Sequence, residues 1–125
     1  MIKGFHHIAV KTTDIERSLA FYRDVLGMTE RRRLHFADGR YLIMLGLGET
    51  CVELFGGGKP KDMVEDRNEI GLTHLALTVD DVDREYARIK ALGYHFYIEP
   101  RTIQGLRAAF FRDPDGIPVE LLQEL

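Results

Sequence analysis

Two histidines and two glutamates stand at one fixed offset in the chain. His7 and His74 are 67 positions apart, and so are Glu53 and Glu120. Two imidazoles and two carboxylates supply the nitrogen and oxygen donors that hold Ni²⁺, Co²⁺, Zn²⁺, Mn²⁺ or Fe²⁺. Four such ligands on an octahedral ion leave two adjacent positions for water or substrate oxygens. Two carboxylates also balance the charge of one divalent cation. A lone His reads more simply as a satisfied core residue. Glu53 resists that reading, because Val52 and Leu54 flank it in an apolar run and an unpaired inward carboxylate is costly.

The elements that must position these residues come from an internal repeat. Thr50-Cys51-Val52-Glu53-Leu54-Phe55 resembles Ile117-Pro118-Val119-Glu120-Leu121-Leu122, and His7-Ile8-Ala9-Val10 resembles His74-Leu75-Ala76-Leu77. Asp14 and Asp81 keep the same offset of 67, as do Arg17 and Arg84, while Gly27 and Gly93 slip to 66. Each half opens on an apolar strand, roughly 5–11 and 72–79. A helix start follows, with Thr13-Asp14-Ile15-Glu16 as a capping box and Asp80-Asp81-Val82-Asp83 as its weaker counterpart. The helical stripes are Ile15, Leu19, Tyr22, Val25 and Leu26 in one half, and Val82, Tyr86, Ile89 and Leu92 in the other. Gly27 and Gly93 stand where a left-handed cap ends each helix. Three short strands complete each half. Their last turns fall at Gly46-Leu47-Gly48-Glu49 and Asp113-Pro114-Asp115-Gly116, again 67 apart. The fold class is therefore α+β: two βαβββ modules, about 1–55 and 72–125, joined by a Gly-, Pro- and charge-rich linker over about 56–71 within one domain of 125 residues.

Alternation assigns the faces. Ile8, Val10, Val52 and Leu54 should meet the helix of the first module. His7, Ala9, Lys11, Cys51, Glu53 and Phe55 share the opposite, concave face. The second module repeats this with His74, Ala76, Thr78, Glu120 and Leu122. His6 should point away from His7. Lys11 and Thr78 occupy equivalent positions near the proposed ligands and are candidate substrate contacts.

Composition narrows the class. Apolar residues are 45% and charged residues 30%, a globular balance, and the net charge of −3 offers no field for nucleic acid. No apolar run approaches the roughly 18 residues of a membrane span. The N-terminus lacks the layout of a signal peptide, and the single cysteine, Cys51, forms no intrachain disulfide. A cytoplasmic location is expected. Gly56-Gly57-Gly58-Lys59 fails the spacing of a phosphate loop. Arg31-Arg32-Arg33 reads as a solvated strand, with one arginine able to reach the concave face. His35 and His95 have no matched partner and read as structural, as does Cys51.

The segments HHIAV, TDIERSLAFYRDVLGM, VELF, GLTHLALTVDDV and FRDPDGIPVELLQ together resemble the vicinal oxygen chelate superfamily. That superfamily contains glyoxalase I, methylmalonyl-CoA epimerases, extradiol dioxygenases, and fosfomycin and bleomycin resistance proteins. The resemblance implies paired βαβββ modules that form a curved mixed sheet around a metal-lined cup, usually in a homodimer. It implies metal ligands at His7, Glu53, His74 and Glu120. The His-Glu-His-Glu order is most similar to glyoxalase I, a lactoylglutathione lyase. The implied reaction is proton transfer on a hemithioacetal or related α-hydroxycarbonyl compound through a metal-bound enediolate. Glu120 is then the better base and Glu53 chiefly a ligand, although the near-symmetry lets either serve. Lys11 replaces the Arg, and Gly57 the Asn, that glutathione-using members commonly carry, so the thiol or the substrate differs. The alternatives are an epimerase acting on a CoA thioester, for which the arginine run would have a use, and a small-molecule-binding resistance protein.

Overall fold

A computed structural model describes residues 1–61 and 69–125. Part of the expected linker, 62–68, lies outside the described residues. The chain divides into two compact units, Met1–Lys61 and Asp62–Leu125.

The first unit runs β1 (His7–Lys11), α1 (Ile15–Ala20), a π-helical turn (Phe21–Val25), β2 (Thr29–His35), β3 (Tyr41–Leu47) and β4 (Thr50–Phe55). Its sheet has the order β1-β4-β3-β2, with β1 parallel to β4 and the other pairs antiparallel. The second unit runs β5 (Leu75–Thr78), α2 (Val82–Ala91), β6 (Ile98–Ile103), β7 (Leu106–Arg112) and β8 (Pro118–Glu124), with the order β5-β8-β7-β6. The expected α+β architecture of two βαβββ units is the one observed.

Both helices begin in the same way. The Asp14 and Asp81 side chains accept from the backbone N–H groups of Arg17 and Arg84, each at 3.1 Å. The capping box expected from Thr13 and Glu16 does not form. Asp14 is the cap, and Glu16 accepts instead from Arg33 and Tyr41, each at 2.9 Å. Gly27 and Gly93 end the helices at φ 76° and 100°, a region that disfavours any side chain.

The one-residue slip between the modules has two compensating halves. After Ala20 the first helix opens into a π turn, and the Leu26 N–H donates to the Phe21 carbonyl at 3.1 Å, five residues back. That turn absorbs one extra residue. The offset then stays at 66 along the third strand of each module, where Leu54 faces Ile43 and Leu121 faces Ala109. It returns to 67 only because Asp113–Ile117 carries one residue more than the corresponding tight turn in the first module. The expected equivalence of the two last turns is thus off by one residue in the ladder. Asp113 makes the longer turn work: its side chain accepts from the Asp115 and Ile117 N–H groups, each at 2.9 Å.

Three core expectations change. The π turn brings both Phe21 and Tyr22 inside, where a regular helix would bury one of them. Leu92 is 56% exposed, because α2 has ended at Ala91; Phe96 fills the core instead, with its ring 4.8 Å from both Tyr86 and Phe111. Ile8 is 42% exposed while Val10 is buried, because β1 is the outer strand and the helix lies against β4. No helix among the described residues is long and apolar enough to cross a membrane.

Candidate metal centre

Each unit builds one His–Glu pair from its parallel strands. In the first, Ala9 lies opposite Glu53; in the second, Ala76 lies opposite Glu120. His7, the first residue of β1, and His74, the residue just before β5, stand two residues before those alanines, and each lies beside the Glu of its own unit. His7 Nε2 is 2.5 Å from Glu53 Oε2, and His74 Nε2 is 3.8 Å from Glu120 Oε2. The structure therefore brings together His7 with Glu53 and His74 with Glu120. Among the described residues, no three His, Cys, Asp or Glu side chains gather around one point. Lys11 and Thr78, the expected substrate contacts, are exposed at matching positions, opposite Phe55 and Leu122.

Glu53 is 7% exposed, in keeping with the argument that a carboxylate set among Val52 and Leu54 needs a partner. The Nε2 atom and the carboxylate oxygen both present lone pairs unless something positive lies between them. At 2.5 Å such a contact is favourable only with a proton or a metal ion shared by the two atoms. Two ligand atoms each about 2.1 Å from one ion at right angles lie about 3 Å apart. The two observed separations bracket that spacing. The donor set of imidazole nitrogen and carboxylate oxygen fits a divalent transition ion.

The far sides of both imidazoles are also occupied. The Nδ1 atoms of His6 and His7 lie 2.8 Å apart, with the rings edge to face at 86°. Thr73 Oγ1 lies 2.8 Å from His74 Nδ1. The expectation that His6 points away from His7 is thus overturned. β1 starts at His7, so His6 precedes the pleated strand and alternation does not govern it. The signal for this role was the shared offset of His6 and Thr73. Their different chemistry hid it. Phe110 is a second residue that spacing did not mark: it lies opposite Glu120 in the β7–β8 ladder and its ring stands edge-on to His74 at 5.2 Å.

The arginine run is largely committed to structure. A bulge between Glu30 and Arg32 interrupts the alternation of β2. Arg31 donates to the Gly48 carbonyl at 2.8 Å and lies over Gly46, where a side chain would collide with its guanidinium. Arg33 bridges Glu30 and Glu16. These contacts hold the Glu16 carboxyl below the usual carboxylate range, through the hydrogen bond from Arg33 and then that from Tyr41. Cys51 is buried, with its thiol 3.7 Å from the His6 carbonyl. His35 stacks on Tyr41.

A family model for the glyoxalase/bleomycin resistance protein/dioxygenase superfamily matches residues 4–121. The Escherichia coli (strain K12) protein YaeR, described as uncharacterized, is 35% identical over 98% of both chains. A probable lactoylglutathione lyase of Vibrio cholerae is 33% identical over 94% of this chain and 88% of its own length. The crystal structure of a glyoxalase family protein from Enterococcus faecalis superposes with a TM-score of 0.81 at 28% identity, covering 96% of this chain and 97% of that one. The chain belongs to the glyoxalase/bleomycin resistance/dioxygenase superfamily.

Proposed function

We propose that this member of the superfamily is a divalent-metal-dependent lyase or isomerase of glyoxalase I type, with His7, Glu53, His74 and Glu120 as the metal ligands. The observation that carries the reading is the repeated His–Glu pair, set on the same face of equivalent strands in both units. Superfamily members typically depend on metal and bind small molecules, and several relatives named lactoylglutathione lyase are about 30% identical to this chain. The reading takes the working form to be a cytoplasmic homodimer, in keeping with the dimers common in this fold.

The cation, when bound, supplies a Lewis acid that stabilises negative charge developing on neighbouring substrate oxygens. Glu120 acts as the base: its carboxylate takes the proton from the carbon between the substrate oxygen and sulfur. It then returns that proton to the adjacent carbon, while the hydroxyl proton passes from the first substrate oxygen to the second, so the isomerisation involves no external oxidant or reductant. Its looser contact with its histidine, 3.8 Å against 2.5 Å for Glu53, favours this division of roles. Glu53, held close to His7 and nearly buried, is the ligand. Lys11 and Thr78 face the substrate from the ends of β1 and β5. Arg31 and Arg33 are engaged within their own unit, which leaves the exposed Arg32 as the one arginine of the run still available to an anionic CoA thioester.

The test is to strip the purified protein with a chelator and reload it separately with Ni²⁺, Co²⁺, Zn²⁺, Mn²⁺ and Fe²⁺. Each form is assayed with methylglyoxal plus glutathione and other thiols, and with methylmalonyl-CoA. Metal-dependent thioester formation from at least one thiol adduct is expected. Failure to take up any metal would defeat the reading. Uptake with epimerisation of the CoA ester alone would replace it with the epimerase.

A further inference from the structure

We propose that His6 and Thr73 are positioning residues, each occupying the Nδ1 side of the neighbouring ligand imidazole so that Nε2 is the atom offered to the cation. The inference rests on the metal-site reading above but can be tested apart from it. Three observations carry it. His6 and Thr73 stand 67 positions apart, at the same place in the repeat. Each reaches Nδ1 of the following histidine at 2.8 Å, although one does so with an imidazole and the other with a hydroxyl. In both units the opposite nitrogen, Nε2, is the one that faces the glutamate.

A neutral imidazole carries one N–H. The nitrogen that hydrogen-bonds to an outer acceptor keeps the proton, and the other is left with its lone pair. Thr73 Oγ1 can therefore accept from His74 Nδ1–H. His6 can accept at its own Nδ1 from His7 Nδ1–H, with its proton held on Nε2. Such an outer acceptor fixes the ring's orientation as well as its tautomer. That two unlike side chains make the same contact in the two modules argues for the contact itself, since shared ancestry of the repeat would by itself give like residues.

The experiment uses the full chain with His6→Leu, Thr73→Val, and the restoring variants His6→Thr and Thr73→Ser. His6 and Thr73 are both exposed, so the substitutions leave the core untouched. The first readout is the histidine tautomer in the metal-free protein, by long-range ¹⁵N–¹H correlation, with Glu53→Leu and Glu120→Leu also present, because each carboxylate would otherwise draw the proton to the Nε2 it faces. His7 and His74 should be Nδ1–H forms in that background. His7 should lose that preference in His6→Leu, and His74 in Thr73→Val. The second readout, with both glutamates in place, is Co²⁺ affinity by competition with a chromophoric chelator. A weakening of about 10-fold or more is expected for each disruptive variant, with most of it recovered by the hydroxyl variants. Unchanged tautomers in His6→Leu and Thr73→Val would overturn the proposal. If no metal binds the parent chain, the metal reading falls while the tautomer measurement still decides this one.

Discussion

The two modules place the same residue types at matching positions of the repeat, yet they hold their carboxylates differently. Glu53 sits against His7 at 2.5 Å and its residue is buried; Glu120 stands off His74 at 3.8 Å and is half-buried. The surroundings differ to match. His7 is backed by a second imidazole, whereas His74 is backed by a hydroxyl and flanked by the Phe110 ring. A repeat that began symmetric thus presents one tight pair and one loose pair. A site needing both a firm ligand and a carboxylate free to move a proton would use that asymmetry.

The largest test of this contrast exchanges the two carboxylates in turn. Glu120→Gln should retain most of its metal, because the amide oxygen is still a donor, yet lose proton transfer by roughly 10²- to 10⁴-fold in kcat. Glu53→Gln should act mainly on metal affinity, with the kcat of the fully loaded protein falling far less. Solvent deuterium incorporation into product, measured at saturating metal, separates the two. The reverse ranking would move the base to the first module and remove the reason offered for the asymmetry.

The helices give the second contrast. α2 is regular, whereas the first helix carries an extra residue in its π turn. Deleting Asp24, exposed within that turn, should let the helix close into regular α form and turn one of Phe21 and Tyr22 out of the core, at a cost of about 4 kcal/mol, the scale of losing a buried ring. Deleting Ala87 from α2 should turn Ile89 by about 100° away from the core. That should cost about 3 kcal/mol, the scale of losing a buried aliphatic side chain. Urea midpoints of the two deletions measure both costs. A negligible cost for deleting Asp24 would mean that the π turn is not what keeps both rings inside.

What was legible in the chain followed from these same contrasts. The shared offset of 67 located both His–Glu pairs, because parallel register in β1–β4 and β5–β8 turns equal spacing into equal geometry. The helix caps were legible because Asp14 and Asp81 act on their own next turn. The misreadings lie where a fixed period was assumed across a break in it. A period of 3.6 residues could not foresee Phe21 and Tyr22 buried together across a π turn. A period of two assigned His6 to the wrong side, because the strand does not yet exist at that residue. Ile8 and Leu92 were lost to edges, one at the outer strand of a sheet and one past a helix end. Arg31 escaped because the bulge beside it re-aims the side chain.

The smallest test concerns how each helix is tied to its sheet by charge. In the first unit Arg33 reaches from β2 to Glu16 and Glu30, with Tyr41 also donating to Glu16. In the second, Arg107 of β7 forks onto both oxygens of Asp83 at 2.6 and 2.7 Å. Arg33 lowers the Glu16 carboxyl and Arg107 the Asp83 carboxyl, each chiefly through the side-chain hydrogen bond. A carboxyl lowered in the folded state contributes stability above its unfolded pKa and loses that contribution as pH falls through the folded value. Both pairs therefore favour the folded state at neutral pH and stop doing so in acid, below the ordinary carboxylate values of about 4. Both are solvent-exposed, so the Arg33 pair is worth about 0.5 kcal/mol. Arg33→Gln should lower stability at pH 7 and leave it unchanged near pH 2. Arg107→Gln should do the same through Asp83. Thermal midpoints of the three proteins between pH 2 and 7 measure the convergence. Curves that stay parallel down to pH 2 would show that the arginines contribute packing along their stems, and that the charges are incidental to it.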